Sequence, residues 1–274
     1  MIFEKLITYK IPPQLIYIGS DYLNIYRISN KKYKKIVRID DFSINDIGKI
    51  KFDKIKRELL NINTGLVINS RYFTFNILRF DNVPFKKRLL NELVLWRLNN
   101  LFPNNIDNFK FDYYRVDKHR IFVILIQKNL IKKIIKSFSI NKVNLNYIGS
   151  SLIEIFDNLY YKGIYFNLKN LIRKKNNMRF LIEMDKNSVM IVFLKNFVPV
   201  FLRKIYETDI TIIKNEIIRT INFVHNNHKI FSESYNIIST ESGYNEEYIK
   251  ENISKIGIKE NGDRLDLSFL PVIK

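Results

Sequence analysis

Tyr17-Ile18-Gly19-Ser20-Asp21 and Glu183-Met184-Asp185-Lys186-Asn187-Ser188 decide how this chain folds. Each is a polar step between two apolar runs. The first joins Leu15-Ile16-Tyr17-Ile18 to Tyr22-Leu23-Asn24-Ile25-Tyr26-Arg27-Ile28, both rich in the β-branched and aromatic residues that suit a pleated, half-buried surface. The second joins Phe180–Glu183 to Ser188–Leu194, and Lys195-Asn196 then turns the chain into Val198–Lys204, making a three-strand meander. Two strand-turn-strand units, each opening its own half, predict a duplicated α/β unit. In a hairpin that binds phosphate, a glycine lets the backbone approach the ligand and a nearby aspartate holds the metal. Both steps have that layout, so Gly19, Ser20, Asp21, Glu183 and Asp185 are the candidate nucleotide-loop residues.

Between and beyond these units the texture alternates. Helical spacing runs from Asp46 to Asn61, and strands are expected at Gly65–Ile68 and Tyr72–Phe80. Phe85 to Leu101 is the clearest helix, with an apolar stripe of Leu89, Leu90, Leu93, Val94, Leu98 and Leu101 between Pro84 and Pro103. Asn108–Val116 and Arg120–Gln127 pair as strands around Asp117-Lys118-His119. A basic amphipathic helix (Asn129–Phe138), a strand (Val143–Ile148) and a helix (Ser150–Tyr160) follow. After the polar stretch Arg173-Lys174-Lys175-Asn176-Asn177 come the meander, a helix (Asp209–His225), a strand (Tyr235–Ser239) and a helix (Asn245–Ile256) capped by Gly257. The expected organisation is a first lobe at 1–175 carrying an α/β insertion at about 81–148, and a second lobe with a C-terminal tail at 176–274.

Composition narrows the function classes. With 46% hydrophobic residues the chain can bury a core that offsets the entropy of folding. There are no cysteines, which excludes disulfides and thiolate metal sites. His225-Asn226-Asn227-His228 has no acid cluster beside it and reads as two surface histidines. No window holds the ~18 uncharged apolar residues that cross a bilayer, and Met1-Ile2-Phe3-Glu4-Lys5 leads into no secretion signal; a cytoplasmic location is expected. The net charge of +19 points either to an anionic partner or to a lysine- and asparagine-rich composition bias. Nucleic acid is one such partner, given 16 Tyr and 21 Phe among the lysines, but no helix-turn-helix, RRM or OB pattern is present and no specific nucleic acid is expected.

The paired phosphate loops resemble those of the actin-like (ribonuclease H-like) ATPase fold. The insertion narrows the resemblance. Glu92-Leu93-Val94-Leu95-Trp96-Arg97-Leu98, then Leu101-Phe102-Pro103, then Phe111-Asp112-Tyr113 and Phe122-Val123-Ile124-Leu125-Ile126 look like the PilM family of type IV pilus assembly proteins, whose type II secretion counterpart is the GspL cytoplasmic domain. Phe180-Leu181-Ile182-Glu183, Val189–Phe193 and Val200-Phe201-Leu202-Arg203 fit the family's second lobe, so the likeness covers roughly residues 12 to 260. It implies an α/β fold of duplicated actin-like lobes with an α/β insertion in the first. It also implies a scaffold on the inner face of the membrane, holding the N-terminal peptide of a PilN-like inner-membrane protein in a groove beside the insertion and contacting a hexameric secretion or pilus ATPase. The positive charge would add attraction to an anionic membrane surface.

The departures from the family's ATP-binding members are specific. Tyr17 stands where they carry Asp, Glu183 replaces a second Asp, and Asp185 stands where Gly is expected, putting a carboxylate where phosphates would approach. The adenosine-side turn reads Ser239-Thr240-Glu241-Ser242-Gly243, with Gly243 its one remaining glycine. These departures imply a pseudo-ATPase with no ATP or Mg cofactor and no catalytic residues; an ATP-binding switch is the alternative. In the tail, Asp266-Leu267-Ser268-Phe269-Leu270-Pro271 resembles the Asn-Leu-Leu-Pro segment that begins PilN, which suggests a PilM–PilN fusion, against the plainer reading of a C-terminal strand.

Overall fold

The computed structural model describes residues 12–29, 32–49, 62–154, 178–185, 188–195, 198–207, 209–228, 234–239 and 259–260. The first sheet is built from β1 (Gln14–Ile18), β2 (Tyr22–Ser29), β3 (Lys32–Asp40), β4 (Thr64–Ile68) and β8 (Leu145–Ser150), in the order β3-β2-β1-β4-β8. β2 runs antiparallel to both β1 and β3, while β4 pairs parallel with β1 and β8 parallel with β4. The second sheet repeats this plan. β9 (Met178–Asp185), β10 (Ser188–Lys195), β11 (Val198–Ile205), β12 (Ser234–Ser239) and β13 (Lys259–Glu260) lie in the order β11-β10-β9-β12-β13, with the same antiparallel meander followed by parallel strands. The duplicated α/β unit expected from the two strand-turn-strand steps is therefore present, in matching strand order.

Between β4 and β8 the chain builds a separate three-stranded antiparallel sheet from β5 (Phe73–Arg79), β6 (Phe109–Arg115) and β7 (Arg120–Gln127), in the order β5-β7-β6. The period-two alternation of β7 sends its residues to two different cores. Ile121, Val123 and Leu125 pack with Leu90, Val94 and Leu98 of helix α1 (Lys87–Leu101). Phe122, Ile124 and Ile126 pack with Ile134 and Phe138 of helix α2 (Lys128–Ile140). The two helices thus cover opposite faces of this sheet.

The core is shared across the lobes. Ile16, Ile18, Leu23 and Ile25 of the first sheet belong to one apolar cluster with Leu181, Met190, Val192 and Leu194 of the second. The other face of the second sheet, Phe180, Ile182, Met184, Ile191 and Phe193, packs on Ile213, Ile217, Ile221 and Val224 of helix α3 (Ile210–His228). Their 4-4-3 spacing is the buried stripe of an amphipathic helix, and Asp209 caps its start by accepting the Thr211 backbone N–H at 2.8 Å.

Local differences from the sequence expectations have simple causes. β3 is absent from the pattern reading because Lys34, Lys35, Ile36, Arg38 and Asp40 are exposed and only Val37 and Ile39 turn, half-buried, to the core; it is an edge strand whose charges discourage further pairing. The helix expected from Phe85 starts at Lys87, and the strand expected at Val143–Ile148 occupies Leu145–Ser150, after the left-handed Lys142 that ends α2. Residues 44–49 form a 3-10 turn, and residues 151–154 are helical. The remainders of the helices expected at 46–61 and 150–160, the helix at 245–256, the Gly243 turn and the tail at 266–271 lie outside the described residues.

Candidate functional site

Two places in the molecule are candidates. The first is the junction of the two phosphate-loop hairpins. Gly19, Ser20 and Asp21 form the tight β1–β2 turn, closed by the Gly19 N–H donating to the Tyr22 carbonyl at 2.9 Å. Gly19 has no left-handed backbone; what its missing Cβ supplies is room. A Cβ there would lie 2.4 Å from the Tyr22 ring. The space above the glycine is therefore filled by Tyr22, itself 2% exposed. The Arg38 guanidinium lies 4.4 Å over that ring and bonds Asp40 at 2.6 Å, and the Ser20 hydroxyl lies 3.3 Å from Asp21 Oδ1. Tyr17, at the expected metal-carboxylate position, is buried, and its hydroxyl accepts from Asn69 Nδ2 at 3.1 Å.

Asn69 leads from this turn to the second lobe. Its backbone N–H donates to the Ile18 carbonyl, and its side-chain oxygen caps the 3-10 turn Ser70–Tyr72 by accepting from the Arg71 N–H at 2.8 Å. Ser70 Oγ donates to Glu183 Oε2 at 2.5 Å, and Ser151 Oγ donates to Glu183 Oε1 at 2.5 Å. Ser151 Oγ in turn accepts the Ser70 N–H at 2.9 Å. Glu183 is 2% exposed. It points toward the first lobe because it shares a β9 face with Leu181. The Lys204 ammonium of β11 completes the crossing, donating to the Arg71 carbonyl at 2.5 Å and to the Phe73 carbonyl at 3.3 Å. Burial pushes the Lys204 ammonium below the ordinary lysine value, against the opposing pull of Tyr206 and Glu183. Both oxygens of the Glu183 carboxylate thus bond first-lobe hydroxyls. Sequence reasoning singled out Glu183 but missed Ser70, Ser151 and Lys204, which lie far apart in the chain and carry no local pattern.

Of the remaining loop residues, Asp185 ends β9, paired in register with Ser188. Gly243 lies outside the described residues. Among the described residues no group of three or more His, Asp or Glu side chains is arranged to hold a metal ion, and no helix is long and apolar enough to cross a membrane.

The second candidate is open. A groove of about 290 Å³ lies between β6 and β8, walled by Lys110, Phe111, Asp112 and Tyr114 on one side and by Asn146 to Ser150 on the other. Phe73, Ile124, Ile126, Ile131 and Ile153 give it an apolar floor. Among the described residues β6 is an edge of the insertion sheet and β8 an edge of the first sheet, so both walls present strand edges. The Ser150 hydroxyl is buried with no partner among the described residues. The Tyr147 hydroxyl bonds the Glu154 carboxyl. Burial pushes that carboxyl up to about 7, while the tyrosine bond pulls it down.

Solved structures share this architecture. A PilM–PilN type IV pilus biogenesis complex superposes with a TM-score of 0.69 at 9% identity, over 92% of this chain and 88% of that one. A Bacteroides thetaiotaomicron protein of unknown function with an actin-like ATPase fold gives 0.58 at 12% identity, over 94% of each chain. The cytoplasmic domain of EpsL, an inner-membrane component of the type II secretion system of Vibrio cholerae, gives 0.54 at 7% identity, over 88% of this chain and 94% of that one. No protein-family model and no curated protein matches the chain. The fold is accordingly the actin-like one expected from the sequence, in the form shared by PilM and the EpsL cytoplasmic domain.

Proposed function

We propose that this protein is a scaffold of a type IV pilus or type II secretion assembly platform. In this reading it binds the extended N-terminal peptide of a PilN-like inner-membrane protein in the β6–β8 groove and links it to a hexameric cytoplasmic ATPase, without turning over ATP itself. The observation that carries the reading is that two edge strands, β6 and β8, both line a groove with an apolar floor. An extended peptide gains main-chain hydrogen bonds from such an edge and places alternate side chains in the pocket beneath, which is the physics of strand addition. The loop junction supports the second half of the reading, because Tyr22 and the Glu183 bonds occupy what a nucleotide and its metal would use. A location at the inner face of the membrane, in the cytoplasm, follows from the same role.

The test is a fluorescence-anisotropy titration with a labelled peptide carrying an Asn-Leu-Leu-Pro segment, alongside copies N-methylated at single backbone amides. Binding is expected. N-methylation at alternate residues should weaken it about tenfold while the intervening positions tolerate the methyl group, because successive amides of a strand point to opposite sides. An unmodified peptide that fails to bind sinks the reading, and sensitivity without a period of two removes strand addition from it.

A further inference from the structure

We propose that the outward face of α1 and the segment leading into it form a docking surface for an anionic phospholipid bilayer. α1 buries Leu90, Val94 and Leu98 against the insertion sheet. At 3.6 residues per turn, Leu89 and Trp96 fall together on the opposite side, two turns apart. Trp96 is 56% exposed and Leu89 48%, and Phe85, just before the helix, is 89% exposed. Single exposed apolar residues are ordinary on a protein surface. With Leu95, four large ones lie exposed within twelve residues, including the chain's one tryptophan, and mark an interaction surface.

Charge identifies the occupant. Lys86, Lys87, Arg88 and Arg97 lie in this segment against a single acid, Glu92, which is already paired with Arg88 at 3.0 Å. The Arg115 guanidinium sits 3.9 Å over the Phe85 ring, adding a further cation at the aromatic end. Tryptophan, phenylalanine and leucine beside lysine and arginine is the composition of a surface that rests at the headgroup boundary, with rings in the acyl edge and cations among the phosphates. The shape agrees: a helix seated on a sheet offers a convex ridge, which suits a plane and gives a peptide or a nucleic-acid strand no walls. α1 also lies on the sheet face opposite α2, whose Ile131 floors the β6–β8 groove together with Ile124 and Ile126. The surface therefore leaves the groove open. The inference extends the membrane-platform reading but does not depend on peptide binding.

Because Trp96 is the sole tryptophan, its emission reports on this face alone. The experiment mixes the full chain with vesicles of phosphatidylcholine, and with vesicles holding an equal share of phosphatidylglycerol, and reads both flotation and emission. Flotation with the anionic vesicles and a blue shift quenched by brominated lipid are expected, with both lost at high salt. Leu89→Glu should abolish flotation, and Lys86→Glu with Lys87→Glu should weaken it about tenfold. All three sites are exposed, so the fold should tolerate the changes; unchanged circular dichroism and groove-peptide binding check this. Flotation without a change in Trp96 emission overturns the proposal, since another face would then be in contact. So does an absence of flotation while the peptide still binds, or a shift caused by an acidic peptide or single-stranded DNA but not by vesicles.

Discussion

The loop junction and the β6–β8 groove differ in how far the chain itself engages their polar groups. At the junction, three positions of the two loops are engaged within the chain: Tyr22 covers Gly19, Tyr17 bonds Asn69, and Glu183 bonds Ser70 and Ser151. In the groove, strand edges on both walls and a buried serine hydroxyl have no partner among the described residues. Buried polar groups are satisfied somewhere, by the chain or by a ligand. The difference supports the proposed division of labour, in which the junction serves structure and binding falls to the groove.

The strongest way to break this comparison is to remove Glu183. If its carboxylate is structural, Glu183→Ala strands two buried hydroxyls and deprives Lys204 of a neighbouring charge. The expected loss is about 3 kcal/mol, since bonds to a charged acceptor contribute ~1.5–3 kcal/mol each and are not additive. The unfolding temperature should then fall by roughly 5 °C for a chain of this size. Glu183→Gln, which keeps an acceptor for one serine, should lose less. An alanine variant as stable as the parent would mean that the carboxylate is spare, as a metal ligand awaiting its ion would be.

This junction also shows what was legible in the sequence. Tyr17, Glu183 and Asp185 stood out because a hairpin with a glycine has an expected chemistry and these residues depart from it. Their new partners did not stand out, because Ser70, Ser151 and Lys204 are ordinary residues made important by the meeting of β9 with the end of β4, a contact between positions more than a hundred residues apart. The duplicated fold was legible for the opposite reason: β1–β2 and β9–β11 are local hairpins whose near-continuous apolar runs are set off by polar turns. β3 was hidden because an exposed edge strand carries lysines where a pattern needs apolar residues. The groove was expected beside the insertion only from the resemblance, and its lining residues were hidden, since they come from two edge strands that no sequence window joins.

The groove can be sharpened at Gly149. A Cβ on this β8 residue would sit 2.2 Å from the Tyr147 hydroxyl, so Gly149→Leu must drive the ring away from Glu154 and narrow the space. Peptide affinity should fall about tenfold, equivalent to ~1.4 kcal/mol, in the anisotropy titration, while Mg-ATP behaviour stays as in the parent. Unchanged affinity would move the peptide elsewhere.

Glu154 gives a smaller effect with a definite sign. Its folded pKa of about 7 lies above the ordinary value of 4.5, so the protonated carboxyl favours the folded state. The stabilisation is fully present below pH 4.5 and is lost as pH rises through 7. Partial exposure screens the effect to about 1 kcal/mol or less. The unfolding temperature of Glu154→Gln should therefore fall less between those pH values than that of the parent, and parallel curves would show that the carboxyl titrates normally.

The smallest expected effect is the most discriminating between the two regions. A ligand at a hundred times its dissociation constant stabilises a fold by about 2.7 kcal/mol, an easily measured rise in unfolding temperature. With Tyr22 over Gly19 and Glu183 tied to its serines, millimolar Mg-ATP should produce no rise, whereas the groove peptide at the same excess should produce the full one. The pair of scans is a direct contrast, because each ligand is the other's control for non-specific effects on the fold. A rise with Mg-ATP equal to that with peptide would require Tyr22 to swing out and Glu183 to release Ser70 and Ser151. The junction would then be a latch that nucleotide opens, and the scaffold would have to be redrawn as a switch.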